Sequence, residues 1–206
     1  MAAWDASARL LGIVRYRMAG NLDGALEALV SGGIGLVEVT LDTPGALDAV
    51  ERGSRSGRSI GVGTVLEPDQ VSRSVDAGAA FVVSPGILPD VIDRAIELGI
   101  DVVPGAFTAT EIIRAHATGA VAVKVFPASV GGPSYLRALR GPLPDVPLVP
   151  TGGITIDEIG AYLAAGAVCV GLGGALVGEE PPASTAALDT IAERVRAAVA
   201  AVAAPP

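Results

Sequence analysis

Short strand-like runs alternate with helix-like runs along the 206-residue chain, and this alternation constrains the fold more than any other feature. The strand-like runs are rich in Val, Ile, Leu and Ala, which is typical of parallel strands covered by helices. The eight predicted strands are Leu11–Val14, Leu36–Thr40, Ile60–Thr64, Ala80–Ser84, Asp101–Pro104, Ala120–Phe126, Pro147–Thr151 and Ala167–Gly171. The predicted amphipathic helices include Leu22–Ser31, Pro68–Ala77, Leu88–Leu98, Ala109–Thr118 and Ile156–Ala165. Strands that alternate with helices in this way indicate βαβ units and a parallel sheet.

Glycines recur at nearly regular intervals, where a helix is predicted to end before the next strand. They are Gly33, Gly57, Gly78, Gly99, Gly119 and Gly166. Glycine is favoured there because it adopts the left-handed conformation that ends many helices. Eight units in 206 residues average about 26 residues each, which fits a compact, single-domain (β/α)₈ TIM barrel over residues 1–206. The tail is expected to be loosely held from about residue 201.

A doubly wound open sheet is the alternative architecture. Such a sheet usually carries a glycine fingerprint after its first strand. Here Arg15-Tyr16-Arg17 occupies that place, so the barrel is favoured.

Composition excludes several classes of protein. Fourteen Lys and Arg residues against 22 Asp and Glu give a net charge of −8, which argues against nucleic acid or an anionic membrane as a partner. No apolar run reaches the roughly 20 residues that cross a bilayer, and no secretory signal is visible at the N-terminus. One cysteine, Cys169, and one histidine, His116, form neither a disulfide framework nor a zinc site. We therefore expect a cytoplasmic protein without a metal or cofactor.

Lys124 is the only lysine in the chain, since the other 13 of the 14 basic residues are arginine. A period of two along Ala120–Phe126 places three valines on one face of the strand. Ala122, Lys124 and Phe126 are then predicted to point into the barrel. A desolvated lysine favours the neutral amine, which adds to a ketone to form a Schiff base. The alternative is a structural lysine whose ammonium group reaches solvent or pairs with a carboxylate.

Glu38 is the second unusual residue, because it places a carboxylate in the middle of the apolar strand Leu36–Thr40. Strand propensity and desolvation both oppose a glutamate there. Glu38 and Lys124 belong to opposite strands of an eight-stranded barrel, so their side chains are expected to converge. The arrangement predicts a general acid/base beside a nucleophilic amine. A plain buried ion pair is the alternative.

Glycine-rich turns follow the last two predicted strands. Thr151-Gly152-Gly153 follows the seventh strand, and Gly171 to Gly174, which include Gly173, follow the eighth. Loops at these two places commonly bind phosphate through backbone N–H groups in (β/α)₈ barrels. The alternative is a pair of tight turns that need glycine for a positive φ. The Thr64 hydroxyl, after the third strand, is expected either to hold a substrate carboxylate or to cap its loop.

Six motifs at the strand ends occur in an order that matches a known family. They are Val37-Glu38-Val39-Thr40-Leu41, Gly61-Val62-Gly63-Thr64-Val65, Val83-Ser84-Pro85-Gly86, Val103-Pro104-Gly105, Val123-Lys124-Val125-Phe126-Pro127-Ala128 and Pro150-Thr151-Gly152-Gly153-Ile154. From about Leu11 to Val177 the chain resembles the bacterial KDPG/KHG aldolases, which act on 2-dehydro-3-deoxy-phosphogluconate and 4-hydroxy-2-oxoglutarate.

The resemblance implies a class I aldolase on a small (β/α)₈ barrel, usually a homotrimer and free of metal. By position, Lys124 matches the Schiff-base lysine of the family and Glu38 its general acid/base. The resemblance further implies that Thr64 lies at the pyruvate carboxylate, that Phe126 and Pro85 line the same pocket, and that Thr151, Gly152 and Gly153 form the phosphate-end loop.

The chain departs from the family pattern at two positions. Some members carry a carboxylate-binding arginine four residues after the glutamate, where this chain has Asp42. Other members carry an arginine at the end of the first strand instead, which Arg15 matches, so Arg15 is assigned to the substrate carboxylate. The loop after the last strand often carries a serine that contacts phosphate, and Gly174 stands at that position. Its backbone N–H and that of Gly173 remain as phosphate donors.

These residues together predict the cleavage of a 2-keto-3-deoxy sugar acid to pyruvate and an aldehyde. The expected substrate is 2-dehydro-3-deoxy-6-phosphogluconate, which gives glyceraldehyde 3-phosphate. Alternative substrates are 4-hydroxy-2-oxoglutarate and 2-dehydro-3-deoxy-6-phosphogalactonate. An alternative of another class is a non-catalytic barrel that binds a phosphorylated ligand, in which Lys124 and Glu38 form only an ion pair.

Overall fold

The computed structural model describes residues 4–203, in which parallel strands alternate with helices. The strands are β1 (Leu10–Val14), β2 (Leu36–Thr40), β3 (Ile60–Gly63), β4 (Phe81–Val83), β5 (Asp101–Val103), β6 (Gly105–Ala106), β7 (Val123–Val125), β8 (Leu148–Pro150) and β9 (Val170–Leu172). The helices are α1 (Leu22–Ser31), α2 (Ala46–Arg55), α3 (Pro68–Asp76), α4 (Pro89–Leu98), α5 (Ala109–Ala117), α6 (Gly132–Arg140), α7 (Ile159–Ala164), α8 (Gly174–Val177) and α9 (Thr185–Ala203). Two 3₁₀ turns cover Ala128–Val130 and Ile156–Glu158. In the part of the chain that the structure describes, no helix combines the length and apolarity needed to cross a membrane.

The strands form two parallel sheets. A six-stranded sheet has the order β5-β4-β3-β2-β1-β9, and a three-stranded sheet has the order β6-β7-β8. Only Pro104 separates β5 from β6, and proline has no N–H to donate to a neighbouring strand. The larger sheet runs through its first five strands in sequence order. A doubly wound sheet reverses its order at an inner strand, so this arrangement differs from that alternative.

Hydrogen bonds also connect the two sheets at both ends. The Val121 N–H donates to Val102 O at 3.3 Å, on the side of β5. On the other side, Val168 N–H donates to Leu148 O at 3.0 Å, and Thr151 forms an isolated parallel bridge with Gly171.

The apolar core has an inner and an outer layer, which the two faces of each strand supply. The inner cluster contains Leu11, Ile13, Leu36, Phe81, Val83, Val103, Ala122, Val149 and Cys169. The outer cluster lies between strands and helices and holds the alternate residues, such as Leu10 and Val14 of β1 and Val123 and Val125 of β7. This two-residue alternation is expected of strands that are buried on both faces.

The predicted and observed helices agree closely where both exist, but α2, α6, α8 and α9 were not among the helices predicted. The start of α6 lies in Gly131-Gly132-Pro133, a run that ordinarily indicates a loop. Proline is tolerated in the first helical turn, where its missing N–H has no helical partner. The predicted helix over 156–165 is divided into a 3₁₀ turn and α7.

The C-terminal helix α9 packs on α1 and α7, and buries Ile191, Val195 and Ala198. The predicted loosely held tail begins inside this helix. Residues 201–203 form its last turn, with Ala201 and Val202 packed on the outer cluster. Residues 204–206 of that tail lie outside the described residues, as do residues 1–3 of the predicted domain.

Phe81 is the largest side chain of the inner cluster, so its truncation tests how firmly this layer is packed. Its ring meets Trp4 edge-on at 5.2 Å between centroids, and a Cβ on Gly61 would overlap the same ring. We expect Phe81→Ala to lower the free energy of unfolding by about 3–5 kcal/mol, measured by urea denaturation. Ile96→Ala on α4 is the control, because Ile96 is 53% exposed, and it should change the value by about 0.5 kcal/mol or less. Equal effects of the two substitutions would contradict this description of the core.

Candidate active site

A cavity of about 590 Å³ opens at the carboxyl ends of the strands, where parallel α/β folds carry their chemistry. The strands and the residues directly after them contribute Ile13, Arg15, Glu38, Lys124, Phe126, Thr151 and Gly171 to its lining. The loops contribute Arg17, Met18, Gly152, Gly153, Ile154, Gly173, Gly174, Ala175, Gly178, Glu179, Glu180 and Pro181. Most of the residues that the sequence analysis singled out therefore meet in one cavity.

Lys124 reaches this cavity from the middle of β7. Its neighbours in the sheet are Gly105 on β6 and Val149 on β8. The side chain is buried, with 7% of the residue exposed, and Nζ lies 5.2 Å from the centroid of the Phe126 ring. Ala122, two residues earlier, belongs to the inner cluster, so the inward phase predicted for this strand is observed.

Glu38 is completely buried on β2, between Ile13 of β1 and Gly61 of β3. A Cβ on Gly63 would overlap Glu38 Oε1, so the absence of a side chain at Gly63 makes room for the carboxyl group. Within the described residues, neither carboxyl oxygen has a hydrogen-bond partner. Buried polar atoms are almost always paired, so these two oxygens mark a place where a polar ligand or water is needed.

Burial raises the pKa of Glu38, because desolvation disfavours the carboxylate. The nearby cations of Lys124 and Arg15 offset part of this increase, whereas the negative charge of Asp42 adds to it. The protonated acid is therefore favoured relative to an exposed glutamate, and the cavity contains an acid group that can give and take a proton near a primary amine.

Arg15, Thr64 and Asp42 form a polar group at the edge of the cavity. Arg15 Nη2 donates a hydrogen bond of 2.6 Å to Thr64 Oγ1, and Arg15 Nε lies 3.6 Å from Asp42 Oδ2. Thr64 has a φ of 58°, which is unusual for a β-branched residue and indicates local strain. The Thr64 hydroxyl contacts the guanidinium group, and Thr64 is not among the residues that line the cavity.

Pro85 lies on the other side of Phe126. It lines a separate cleft of about 500 Å³ with residues of the β4–α4 loop and α5, and Phe126 borders both spaces. The structure thus brings Phe126 beside Lys124, whereas Pro85 does not line that cavity and lies in the neighbouring cleft that Phe126 also borders.

Two glycine-rich turns form part of the cavity lining. Gly152 and Gly153 have φ values of 96° and 71°, so these two positions need glycine for the turn itself. Each is also close to a side chain, since added Cβ atoms would crowd the Phe126 ring and the Ser129 hydroxyl respectively. Gly174 is different, because its φ is not positive and a Cβ there would lie 2.5 Å from Glu179 Oε1.

Sequence reasoning missed Arg17, Glu179 and Glu180, which line the cavity from two loops. A signal for Arg17 was present, because the two-residue period of Leu11 and Ile13 continues through Arg15 to Arg17. The two glutamates had no such signal, since they lie in a loop without periodicity.

Comparison with known proteins adds to this geometry. Residues 4–192 match the sequence pattern of KDPG and KHG aldolase, which is nearly the whole described chain.

The chain belongs to the KDPG and KHG aldolase family.

The family assignment agrees with individual relatives. The 2-dehydro-3-deoxy-phosphogluconate aldolase of Pseudomonas aeruginosa is 42% identical over 74 residues, which are 35% of this chain and 34% of that protein. The match spans about a third of the length of the first curated relatives.

Solved structures of KDPG and KHG aldolases match over nearly their full length. The native KDPGal structure is 30% identical, with a TM-score of 0.87, and the match covers 98% of this chain and 97% of that one. The KDPG aldolase of Legionella pneumophila, with pyruvate captured at low pH as a covalent carbinolamine intermediate, is 31% identical with a TM-score of 0.80. That match covers 94% of this chain and 95% of the other. Tryptophan synthase of M. tuberculosis, 19% identical with a TM-score of 0.73, shares the fold alone.

The raised pKa of Glu38 predicts how stability depends on pH. The group gains a proton more readily in the folded protein than in the unfolded chain, where its ordinary pKa is 4.5. Its contribution to stability is therefore fully present below pH 4.5 and is lost as pH rises through the pKa of the folded state. The amide in Glu38→Gln stays neutral at every pH. The free energy of unfolding of this variant should therefore increase relative to that of the wild type as the pH rises over that range.

Urea denaturation at a series of pH values from 4 upward, in steps of about half a unit, measures this difference. Glu193→Gln, an exposed position on α9, is the matched control and should show no such trend. A difference between Glu38→Gln and the wild type that stays constant with pH would contradict the burial of a protonated Glu38.

Proposed function

We propose that this protein is a class I aldolase that cleaves a 2-keto-3-deoxy sugar acid to pyruvate and an aldehyde. One observation carries the proposal: a buried primary amine, Lys124, and a buried carboxyl group, Glu38, without hydrogen-bond partners, line one cavity in a member of the aldolase family. The carbinolamine captured in the Legionella relative supports the same covalent chemistry.

The reaction would begin when the neutral amine of Lys124 attacks the C2 ketone and forms a carbinolamine. Glu38 would protonate the C2 hydroxyl, which leaves as water and gives an iminium ion. The iminium draws electrons from the C3–C4 bond, and the Glu38 carboxylate takes the C4 hydroxyl proton as that bond breaks and the aldehyde leaves. Glu38 would then return the proton to C3 of the enamine, and water would hydrolyse the pyruvate iminium and release Lys124. The raised pKa of Glu38 suits both directions of proton transfer.

Arg15 would bind the carboxylate of the substrate, and Thr64, which does not line the cavity, would take part through the hydrogen bond that it accepts from Arg15. A guanidinium group binds carboxylates in a planar, two-point geometry, and Arg15 lines the cavity next to Glu38. Its hydrogen bond from Nη2 to Thr64 and its proximity to Asp42 restrain its orientation, so we assign Asp42 to the support of Arg15. Phe126 would pack on the three-carbon part of the substrate beside Lys124, with Pro85 behind it.

The distal end of the substrate would lie against the two glycine-rich turns. Thr151, Gly152, Gly153, Gly173 and Gly174 all line the cavity, and the backbone N–H groups of such turns are the proposed donors to a phosphate group. We propose 2-dehydro-3-deoxy-6-phosphogluconate as the preferred substrate, with glyceraldehyde 3-phosphate as the aldehyde, because curated relatives carry the name of that aldolase. The E. coli relative named for 2-dehydro-3-deoxy-6-phosphogalactonate and the solved relative named for 4-hydroxy-2-oxoglutarate keep these compounds as alternative substrates.

We also propose that the two sheets form one closed (β/α)₈ barrel and a single domain. If β5 and β6 are taken as one strand interrupted at Pro104, the nine strands found within residues 4–203 become eight. The hydrogen bonds that connect the sheets on both sides support closure. The resemblance to the family supports a homotrimer located in the cytoplasm. Analytical ultracentrifugation would test the oligomeric state.

Borohydride trapping tests the Schiff base. Incubation with pyruvate and borohydride should add one pyruvate-derived mass to the chain at Lys124, located by peptide mass spectrometry. Lys124→Met should lose that label, since no other lysine exists and only the terminal amine remains. Full labelling of the variant would overturn the mechanism, and absence of label in the wild type would favour the non-catalytic barrel.

Glu38→Gln separates proton transfer from amine chemistry. A glutamine cannot shuttle a proton, so we expect turnover to fall by roughly 10²–10⁴-fold in a coupled assay of pyruvate release. The fold should be retained, because glutamine has nearly the same volume. Near-normal turnover would remove Glu38 from the mechanism, and an unfolded variant would instead indicate that the Glu38 carboxyl group is needed for folding.

A further inference from the structure

The first strand and the segment after it carry a feature that the reaction leaves unused. Leu11 and Ile13 of β1 belong to the inner cluster, whereas Leu10, Val14 and Tyr16 belong to the outer one. Extended chain alternates its side chains between two faces, and the inward series continues beyond the strand. Arg15 and then Arg17 both line the cavity.

Tyr16 fixes which side chains of this segment face the cavity. Its ring is 1% exposed, its hydroxyl donates to Val177 O at 3.2 Å, and its backbone N–H donates to Thr43 Oγ1 at 3.1 Å. Because Tyr16 is fixed on the outer side, its two neighbours are directed to the cavity.

The two arginines differ in their surroundings. Arg15 is engaged by Thr64 and Asp42. Arg17, by contrast, has no hydrogen bond or ion pair with any other described residue. It is a cation at the cavity that is free to bind a ligand.

Arg17 lies in the loop that meets the glycine-rich end of the cavity. A Cβ on Gly20 would overlap the Pro181 ring, so the β1–α1 loop touches the segment that follows α8. Residues 173 and 174 line the same cavity but carry no side chain, and no Lys or Arg lies in either glycine-rich turn. Arg17 is therefore the side-chain cation that those turns lack.

Glu179 places a negative charge in the same cavity as Arg17. Its Oε1 lies close to the Cα of Gly174, and its carboxylate borders the same end of the cavity. A carboxylate repels a phosphate dianion, and at about 4 Å the repulsion is felt even in water. The exposed side chain can also turn away when an anion binds.

We propose that Arg17 is the specificity-determining residue for the far end of the substrate: it binds an anionic tail group, such as a phosphate ester, while Glu179 limits the preference for that charge. The proposal rests on the proposed aldolase function and adds the residues that recognise the far end of the substrate. We expect Arg17 to act on binding and to have no part in proton transfer.

The decisive experiment compares KM and kcat of wild type, Arg17→Gln and Glu179→Gln with two substrates, 2-keto-3-deoxy-6-phosphogluconate and its unphosphorylated analogue. Arg17→Gln should raise KM for the phosphorylated substrate by roughly 10–100-fold, the range expected for one charged hydrogen bond. Its kcat, and both constants for the analogue, should stay within about twofold of the wild type. Glu179→Gln should lower KM for the phosphorylated substrate by roughly fivefold, as removal of one like charge predicts.

Three further variants make the result specific. Arg17→Lys keeps the charge and should recover most of the loss. Arg196→Gln and Glu193→Gln, both exposed on α9 and outside the cavity, remove the same charges elsewhere and should change neither KM.

Equal changes of KM for both substrates in Arg17→Gln, or no change for either, would overturn the proposal. Pyruvate trapping with borohydride reports the aldolase function separately, because pyruvate has no tail. Calorimetric titration with glycerol 3-phosphate measures the contribution of Arg17 to anion binding in the absence of turnover. Weaker binding by Arg17→Gln than by Arg196→Gln supports the proposal, and equal binding overturns it.

Discussion

Desolvation of the Glu38 carboxyl group is the interaction around which the rest of the site is arranged. A fully buried glutamate in the middle of a strand is costly, and the fold meets this cost in a particular way. Gly63 leaves space for the carboxyl group, and Lys124 and Arg15 supply positive charge nearby. No protein group is used to satisfy its oxygens within the described residues. The acid is thereby kept reactive, since a partner that bound it firmly would hold its proton in one state.

The same strand geometry that buries Glu38 also distributes the cations. The chain as a whole is acidic, with a net charge of −8. Three of its 14 basic residues, Lys124, Arg15 and Arg17, nevertheless line one cavity. Arg15 and Arg17 lie just beyond the end of β1, whereas Lys124 lies within β7. An anionic keto acid would meet these three cations in a protein whose overall charge repels it, whereas Glu179 and Glu180 of the same cavity oppose its binding.

Much of this arrangement follows from short-range patterns. Strands and helices can be told apart in the sequence because their hydrophobic periods differ, and strands joined through helices form parallel sheets. Most predicted boundaries of these elements lie within two residues of those observed. Lys124 was found because it is the only lysine and lies in an apolar strand, Glu38 because it interrupts another apolar strand, and Phe126 because it shares the inward phase of Lys124. The start of α6 was missed because Gly131-Gly132-Pro133 has the composition of a loop, although its proline is compatible with a first helical turn.

The sequence alone determined which residues face inward on each strand, since a period of two is a local property of extended chain. It also determined where polar groups interrupt apolar strands. Only the tertiary structure decided that Pro85 lies behind Phe126 and that Thr64 contacts Arg15. These relations join loops far apart in the chain, whose paths depend on how the helices pack. No local pattern encodes such a path, because the contacts that stabilise it are made only when the whole core has formed.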